Sequence, residues 1–167
     1  FALTIAFVAI GTALLINIIK IPWGRARMRL IMQTGNESYF TPWWKAGSTL
    51  KRQLMAEGVS SDEFRSFPSG HTACAACAML TALLPTLNKR LRGKTLRCFL
   101  PGAAWTLLVA VSRICMGAHF LTDVTMATLV FLGMAVLGVW LFYFNKRFFN
   151  ALWNFLAVRE SPLQAVM

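Results

Sequence analysis

Residues Val124–Asn145 read VTMATLVFLGMAVLGVWLFYFN, twenty-two residues with no Asp, Glu, Lys or Arg among them. A helix needs about 20 apolar residues to cross the hydrocarbon core of a bilayer, within a range of about 17–25. Three more stretches lack those charged residues: Phe1–Ile19, His71–Asn88 and Cys98–Ser112. The last is short. It reaches spanning length if its helix runs on through Arg113, whose charge must then face protein or water rather than lipid. Composition agrees with this reading. The chain of 167 residues is 57% hydrophobic with a mean hydropathy of +0.57, yet carries seventeen basic against six acidic side chains. Such a chain partners a bilayer, not nucleic acid.

The expected fold is all-α: an integral-membrane helical bundle of at least four transmembrane helices, with an interfacial helical segment between the first and second. The spans are placed at about 1–19, 71–88, 98–115 and 121–145, joined by a polar connection over 20–70. A membrane-embedded domain then covers 1–147, and 148–167 forms a short interfacial or extended segment. Pro22 and Gly24 end the first helix at Lys20. In the connection, Tyr39, Phe40, Trp43 and Trp44 precede Lys45, Lys51 and Arg52, which suits a helix at the headgroup level. The small residues of Thr72–Ala78 permit close approach between helices. His71, Cys74 and Cys77 are spaced by three, but ligands on one helix face cannot surround a tetrahedral ion, so the cysteines read as packing. Cys98 and Cys115 have no framework spacing, and no disulfide is expected. Phe1 opens inside an apolar run without an initiator methionine, so an upstream segment is expected. The first stretch lacks the basic region and cleavage site of a signal peptide.

Orientation follows from the loops. Lys89–Arg97 carries five positive charges and no acid, and short basic loops stay cytoplasmic. Lys146 and Arg147 fall on the same side. The long connection has eight Lys or Arg against four acids, but the charge rule weakens for long loops. The connection and both histidines are therefore expected on the extracytoplasmic side.

Threading four helices back and forth puts Lys20 at the exit of the first and His71 at the entry of the second. Arg113 then lies at the exit of the third and His119 at the entry of the fourth, all on one face. His119 lies four residues before Asp123, about one helical turn, so the carboxylate can hold one ring nitrogen and leave the other free to attack. A phosphate ester resists attack because its oxygens repel nucleophiles, so a site needs fixed positive charge around them. Lys20, Arg27 and Arg113 supply it, the arginines as bidentate donors and the lysine as a point charge. Backbone N–H groups at Ser69, Gly70 and His71 add further donors at a helix start. In this reading His119 attacks phosphorus to form a phosphohistidine while Asp123 fixes its tautomer. His71 protonates the leaving oxygen, then deprotonates the hydrolytic water. No carboxylate cluster offers itself to magnesium or zinc, and no metal or other cofactor is expected.

Lys20-x6-Arg27, Pro68-Ser69-Gly70-His71 and Ser112-Arg113-x5-His119-x3-Asp123 resemble the three signature motifs of the type 2 phosphatidic acid phosphatase superfamily. They occur in the family's order, and the resemblance runs from Phe1 to Phe144. It implies a metal-independent phosphatase of the membrane branch and assigns the roles given above to Lys20, Arg27, Ser69, Gly70, His71, Arg113, His119 and Asp123. Met28 departs from it, standing where the family usually has proline. Membrane members typically have six helices with these motifs on the last four, so the chain is expected to carry those four. The implied reaction removes a terminal phosphate from a lipid. Candidates are undecaprenyl pyrophosphate, phosphatidylglycerophosphate, phosphatidic acid and diacylglycerol pyrophosphate, at the cytoplasmic membrane of a bacterium. The rivals are a lipid phosphotransferase and a non-catalytic protein that binds or carries anionic lipids. The intact His71, His119 and Asp123 weigh against the carrier, because binding needs cations and not an aimed imidazole. Oligomeric state is not set by the sequence.

Overall fold

In lipid every backbone polar group needs an internal partner, and a helix supplies one within its own segment. The computed structural model, which describes residues 1–145, 147, 148, 150, 151, 153 and 154, follows that rule. Its helices are α1 (Ala2–Trp23), α2 (Met28–Thr34), α3 (Ser48–Ala56), α4 (Gly70–Ala76), α5 (Thr95–Cys115) and α6 (Leu121–Val139). A π-helical stretch, Trp140–Phe144, continues α6. Three helical segments, beginning with α1, α5 and α6, are long and apolar enough to cross a bilayer. There are no strands among the described residues. The protein is an all-α integral membrane protein. Large side chains such as Ile18, Leu107, Leu108 and Val136 point outward on these helices, where lipid replaces protein as the apolar neighbour.

The expected second span takes a different form. Gly70–Ala76 is α-helical, but Cys77–Thr86 winds as a 3₁₀ helix that contains Pro85. At ~1.5 Å per α residue and ~2.0 Å per 3₁₀ residue, the two pieces together reach roughly 30 Å, about the thickness of the hydrocarbon core. The tighter winding lets a short segment cover the distance. It lies closely against α5: a Cβ added to Gly102 would fall 2.4 Å from the Ala78 carbonyl oxygen. Thr106 Oγ1 donates to the Ala75 carbonyl at 3.2 Å and Thr81 Oγ1 to that of Cys98 at 2.6 Å, tying the same pair. The close approach expected of the small-residue stretch thus occurs.

Helix α1 outruns its expected end at Lys20. Pro22 sits within the last turn, and the helix stops at Gly24, whose φ of 63° is the left-handed conformation that glycine adopts freely. The interfacial segment is also shorter than expected. Helix α3 carries Lys51 and Arg52, whereas Trp43 and Trp44 precede it in a turn and Tyr39 ends a 3₁₀ turn. Pro42 and Gly47 bracket that turn and keep the aromatics off the helix. The expected C-terminal segment 148–167 lies mostly outside the described residues.

Two apolar clusters hold the membrane part. One joins Val8, Ala76, Met79, Leu80, Phe131 and Met134, and another joins Ile16, Ala73 and Ala127. A third, Ala26, Leu30, Leu54 and Phe64, packs the connection over one end of the bundle. That end carries the residues singled out above.

Candidate active site

Backbone hydrogen bonds bring the three sequence blocks together. Ser66 N donates to the Arg25 carbonyl at 3.2 Å and Arg27 N to that of Glu63 at 2.8 Å, pairing the first block with the approach to the second. Arg29 N donates to the Gly117 carbonyl at 2.8 Å, and Ser69 N to that of Asp123 at 3.1 Å, so both also hold the third block. Gly117 has φ +63°, and a Cβ there would lie 3.1 Å from Arg29 Cβ. The close passage of α2 past the end of α5 needs this glycine.

His119 is buried, at 3% exposure, just before α6. Its Nδ1 lies 2.6 Å from the Ser66 carbonyl oxygen and 3.8 Å from Asp123 Oδ2. A carbonyl only accepts, so Nδ1 carries a proton, and in the neutral ring the lone pair is then on Nε2. His119 precedes the helix, and the Ser66 carbonyl is its nearest partner, with the Asp123 carboxylate at the longer distance of 3.8 Å from the same nitrogen.

Asp123 is fully buried and committed elsewhere. Its Oδ1 pairs with Arg25 Nη1, while Oδ2 accepts from Ser66 Oγ and, at 2.8 Å, from the Phe120 amide. Arg25, only 2% exposed, completes the cluster. Its Nε donates to the Thr41 carbonyl at 2.7 Å and Nη1 to Thr122 Oγ1 at 2.8 Å. The guanidinium carbon lies 4.2 Å from the centre of the Phe120 ring and 5.6 Å from that of Phe40. The sequence reading gave no role to Arg25 or to Ser66. Nothing in the string Arg25-Ala26-Arg27-Met28-Arg29 says which arginine turns inward.

The remaining residues collect around His71, which is exposed on the first turn of α4. Arg113, His119, Lys20 and Arg27 all lie close enough to act on its charge. Lys20 is partly buried, and a Cβ on Gly70 would sit 3.4 Å from its Nζ. Arg65, unassigned by sequence, lies within electrostatic reach of Lys20 as well. Arg27 Nη2 pairs with the exposed Asp62 at 2.8 Å, and Arg29 with Glu63 through two hydrogen bonds. Lys20 and Arg113 have no ion-pair partner among the described residues.

The backbone N–H of Ser69, expected to donate to phosphate, donates to the Asp123 carbonyl. Ser69 is fully buried, and its hydroxyl accepts from Thr72 N at 3.3 Å as the cap of α4 and bonds Thr72 Oγ1 at 2.9 Å. The Gly70 and His71 amides that follow find no hydrogen-bond partner among the described residues. Among those residues no group of three His, Cys, Asp or Glu is placed to hold a metal ion.

The family model that matches residues 1–150 is that of the PAP2 superfamily. The chain belongs to the PAP2 superfamily. A curated PAP2-type relative, phosphatidylglycerophosphatase B of Bacillus subtilis (strain 168), is 36% identical over 89 residues, covering 50% of this chain and 38% of the relative. The aligned region therefore spans under two fifths of that relative's length. No solved structure matches the chain. Within this PAP2 chain all three motif blocks reach one end of the bundle, where a buried and an exposed histidine lie beside Lys20 and Arg113, which have no ion-pair partner among the described residues.

Proposed function

We propose that the protein is a metal-independent lipid phosphatase working through a phosphohistidine at His119. The observation that carries the reading is the 2.6 Å contact between His119 Nδ1 and the Ser66 carbonyl oxygen. Nδ1 is occupied by the Ser66 carbonyl, so the lone pair is on Nε2, in a group that also holds His71, Lys20, Arg27 and Arg113. The catalytic set is His119, His71 and Asp123; Lys20, Arg27, Arg113 and the Gly70 amide, at the helix start that Ser69 caps, bind phosphate.

In the first step the Nε2 lone pair forms a bond to phosphorus, and the bond from phosphorus to the ester or anhydride oxygen breaks. Protonated His71 gives that oxygen its proton. In the second step His71 takes a proton from water, the resulting hydroxide oxygen bonds to phosphorus, and the P–N bond electrons return to His119. Exposure of His71 lets water and the departing alcohol exchange there. Lys20 and Arg113, unopposed by carboxylates, stabilise the charge spread over the phosphoryl oxygens. Asp123 acts on His119 through the shared Ser66, through the helix start and through its own 3.8 Å contact with Nδ1.

The site faces the extracytoplasmic side of a bacterial cytoplasmic membrane, on the evidence of the basic loop Lys89–Arg97. The four candidate lipids remain, and the resemblance to phosphatidylglycerophosphatase B favours phosphatidylglycerophosphate among them. Phosphate release from these lipids, assayed in chelator, tests the proposal. The wild type should turn over and be inhibited by vanadate, while His119→Ala should lose turnover and retain lipid binding. Undiminished release by His119→Ala, or an activity restored only by magnesium, would overturn the mechanism. Transfer of the phosphate to an added acceptor lipid instead of water would identify a phosphotransferase.

A further inference from the structure

A cavity of about 280 Å³ runs down the seam between α1 and α4, starting at the site itself. Lys20 and Gly70 form its upper end, and Asn17, Ala13, Ala73 and Cys74 continue it toward the middle of the membrane. Three properties of the seam bear on what fills it. Its mouth carries the unpaired ammonium of Lys20, which calls for an anion. Its walls are mostly small side chains, leaving room for a chain beside the helices. Its polarity is graded, because Asn17, an exposed amide on a lipid-facing helix, lies three residues before Lys20, about 4.5 Å lower along the axis.

Asn17 Nδ2 donates one hydrogen to the Ala13 carbonyl at 2.9 Å, which leaves its second N–H available. An amide facing hydrocarbon is costly unless an acceptor meets it. In a diacylglycerol phosphate the ester carbonyls follow the phosphate after a few bonds, at a depth matching that step. A polyprenyl chain has no acceptor there. A second cleft lies between α5 and α6, lined by Ala110, Ile114 and Leu121 among others, but it includes none of the assigned phosphate-binding residues.

We infer that the α1–α4 seam receives the ester and upper acyl chain of a glycerolipid phosphate, with Asn17 donating to an ester carbonyl and so favouring diacylglycerol-type over polyprenyl substrates. The inference rests on the phosphatase reading and names its substrate class. The first test uses the full chain in proteoliposomes with three substrates: a diacylglycerol phosphate, a polyprenyl diphosphate and the short soluble ester p-nitrophenyl phosphate. Ala13→Trp, two turns below Lys20 and exposed, should lower kcat/KM on both lipids about tenfold and leave the soluble ester within about twofold. Asn17→Leu should raise KM about fivefold for the diacylglycerol phosphate and leave the polyprenyl substrate unchanged. Ala110→Trp in the other cleft should change neither. An effect of Ala110→Trp in place of Ala13→Trp, or an equal effect of Asn17→Leu on both lipids, overturns the inference.

A second test does not need turnover. A diacylglycerol phosphate with a photoreactive group near the top of its acyl chain, applied to His119→Ala, should label peptides from Ala9–Lys20 or Gly70–Cys77. Label on α5 and α6, or cross-linking that shows another protein segment filling the seam, would refute it. A wild type inactive on every ester but labelled in the seam would count against the phosphatase reading and uphold the lipid site.

Discussion

Replacing Arg25 tests whether its buried ion pair organises the site without touching phosphate. Arg25→Met keeps an unbranched apolar stem between Phe40 and Phe120 but removes the donors to Thr41, Thr122 and Asp123. Asp123, with no exposure, is then left with Ser66 and the Phe120 amide as hydrogen-bond donors and with His119 Nδ1 3.8 Å away. Breaking a buried pair from one side costs about 3–5 kcal/mol, because the surviving charge stays desolvated. Asp123→Asn should cost about as much by stranding the guanidinium. The double variant leaves neither charge unpaired, so its loss should fall short of the sum by about 2–3 kcal/mol. Reversible unfolding in mixed micelles measures the stabilities, and phosphate release measures whether His119 stays aimed. Arg25→Met should lower turnover at a temperature where the protein is still folded. Additive losses, agreeing within about 0.5 kcal/mol, would show that the two side chains are not coupled and would remove Asp123 from its place as the anchor of this cluster.

Gly102→Ala should destabilise by about 1–3 kcal/mol, since its Cβ would strike the Ala78 backbone. Gly133→Ala, on α6 with nothing within 4 Å of the added atom, should be neutral or stabilise by up to about 1 kcal/mol. Equal effects in the same unfolding assay would contradict the close packing of α5 on the 3₁₀ segment. A cysteine placed in Lys89–Arg97, after the native cysteines are removed, should resist impermeant thiol reagents in intact cells. Ready labelling would reverse the proposed orientation.

Much of this architecture was legible as absence of charge. The runs Phe1–Ile19, Cys98–Ser112 and Val124–Asn145 locate α1, α5 and α6, because hydrocarbon tolerates few alternatives to an uninterrupted helix. The run from His71 located its segment but not its winding. Apolar composition is the same for α and 3₁₀ helices, and the choice here accompanies Gly102 packing on Ala78, a long-range contact. The convergence of Lys20, His71, Arg113 and His119 at one end followed from threading alone. The partner of His119 was not readable, because the Ser66 carbonyl is a backbone atom 53 residues away and carries no sequence signature.

The distribution of acids explains why this end of the molecule is left electropositive. Arg25, Arg27 and Arg29 occupy alternate positions and take Asp123, Asp62 and Glu63, one carboxylate each. Those three pairs fasten the first block to the third and to the approach of the second. They use half of the six acidic residues in the chain. Lys20 and Arg113, which belong to the helices and not to that connecting segment, receive none among the described residues. Both are partly buried, so leaving them without counter-ions costs some stability that the fold's own cohesion does not explain. Their positions around His71 therefore call for a counter-charge supplied from outside. In the proposed mechanism a phosphate with its oxygens between Lys20 and Arg113 supplies it, beside the free nitrogen of His119.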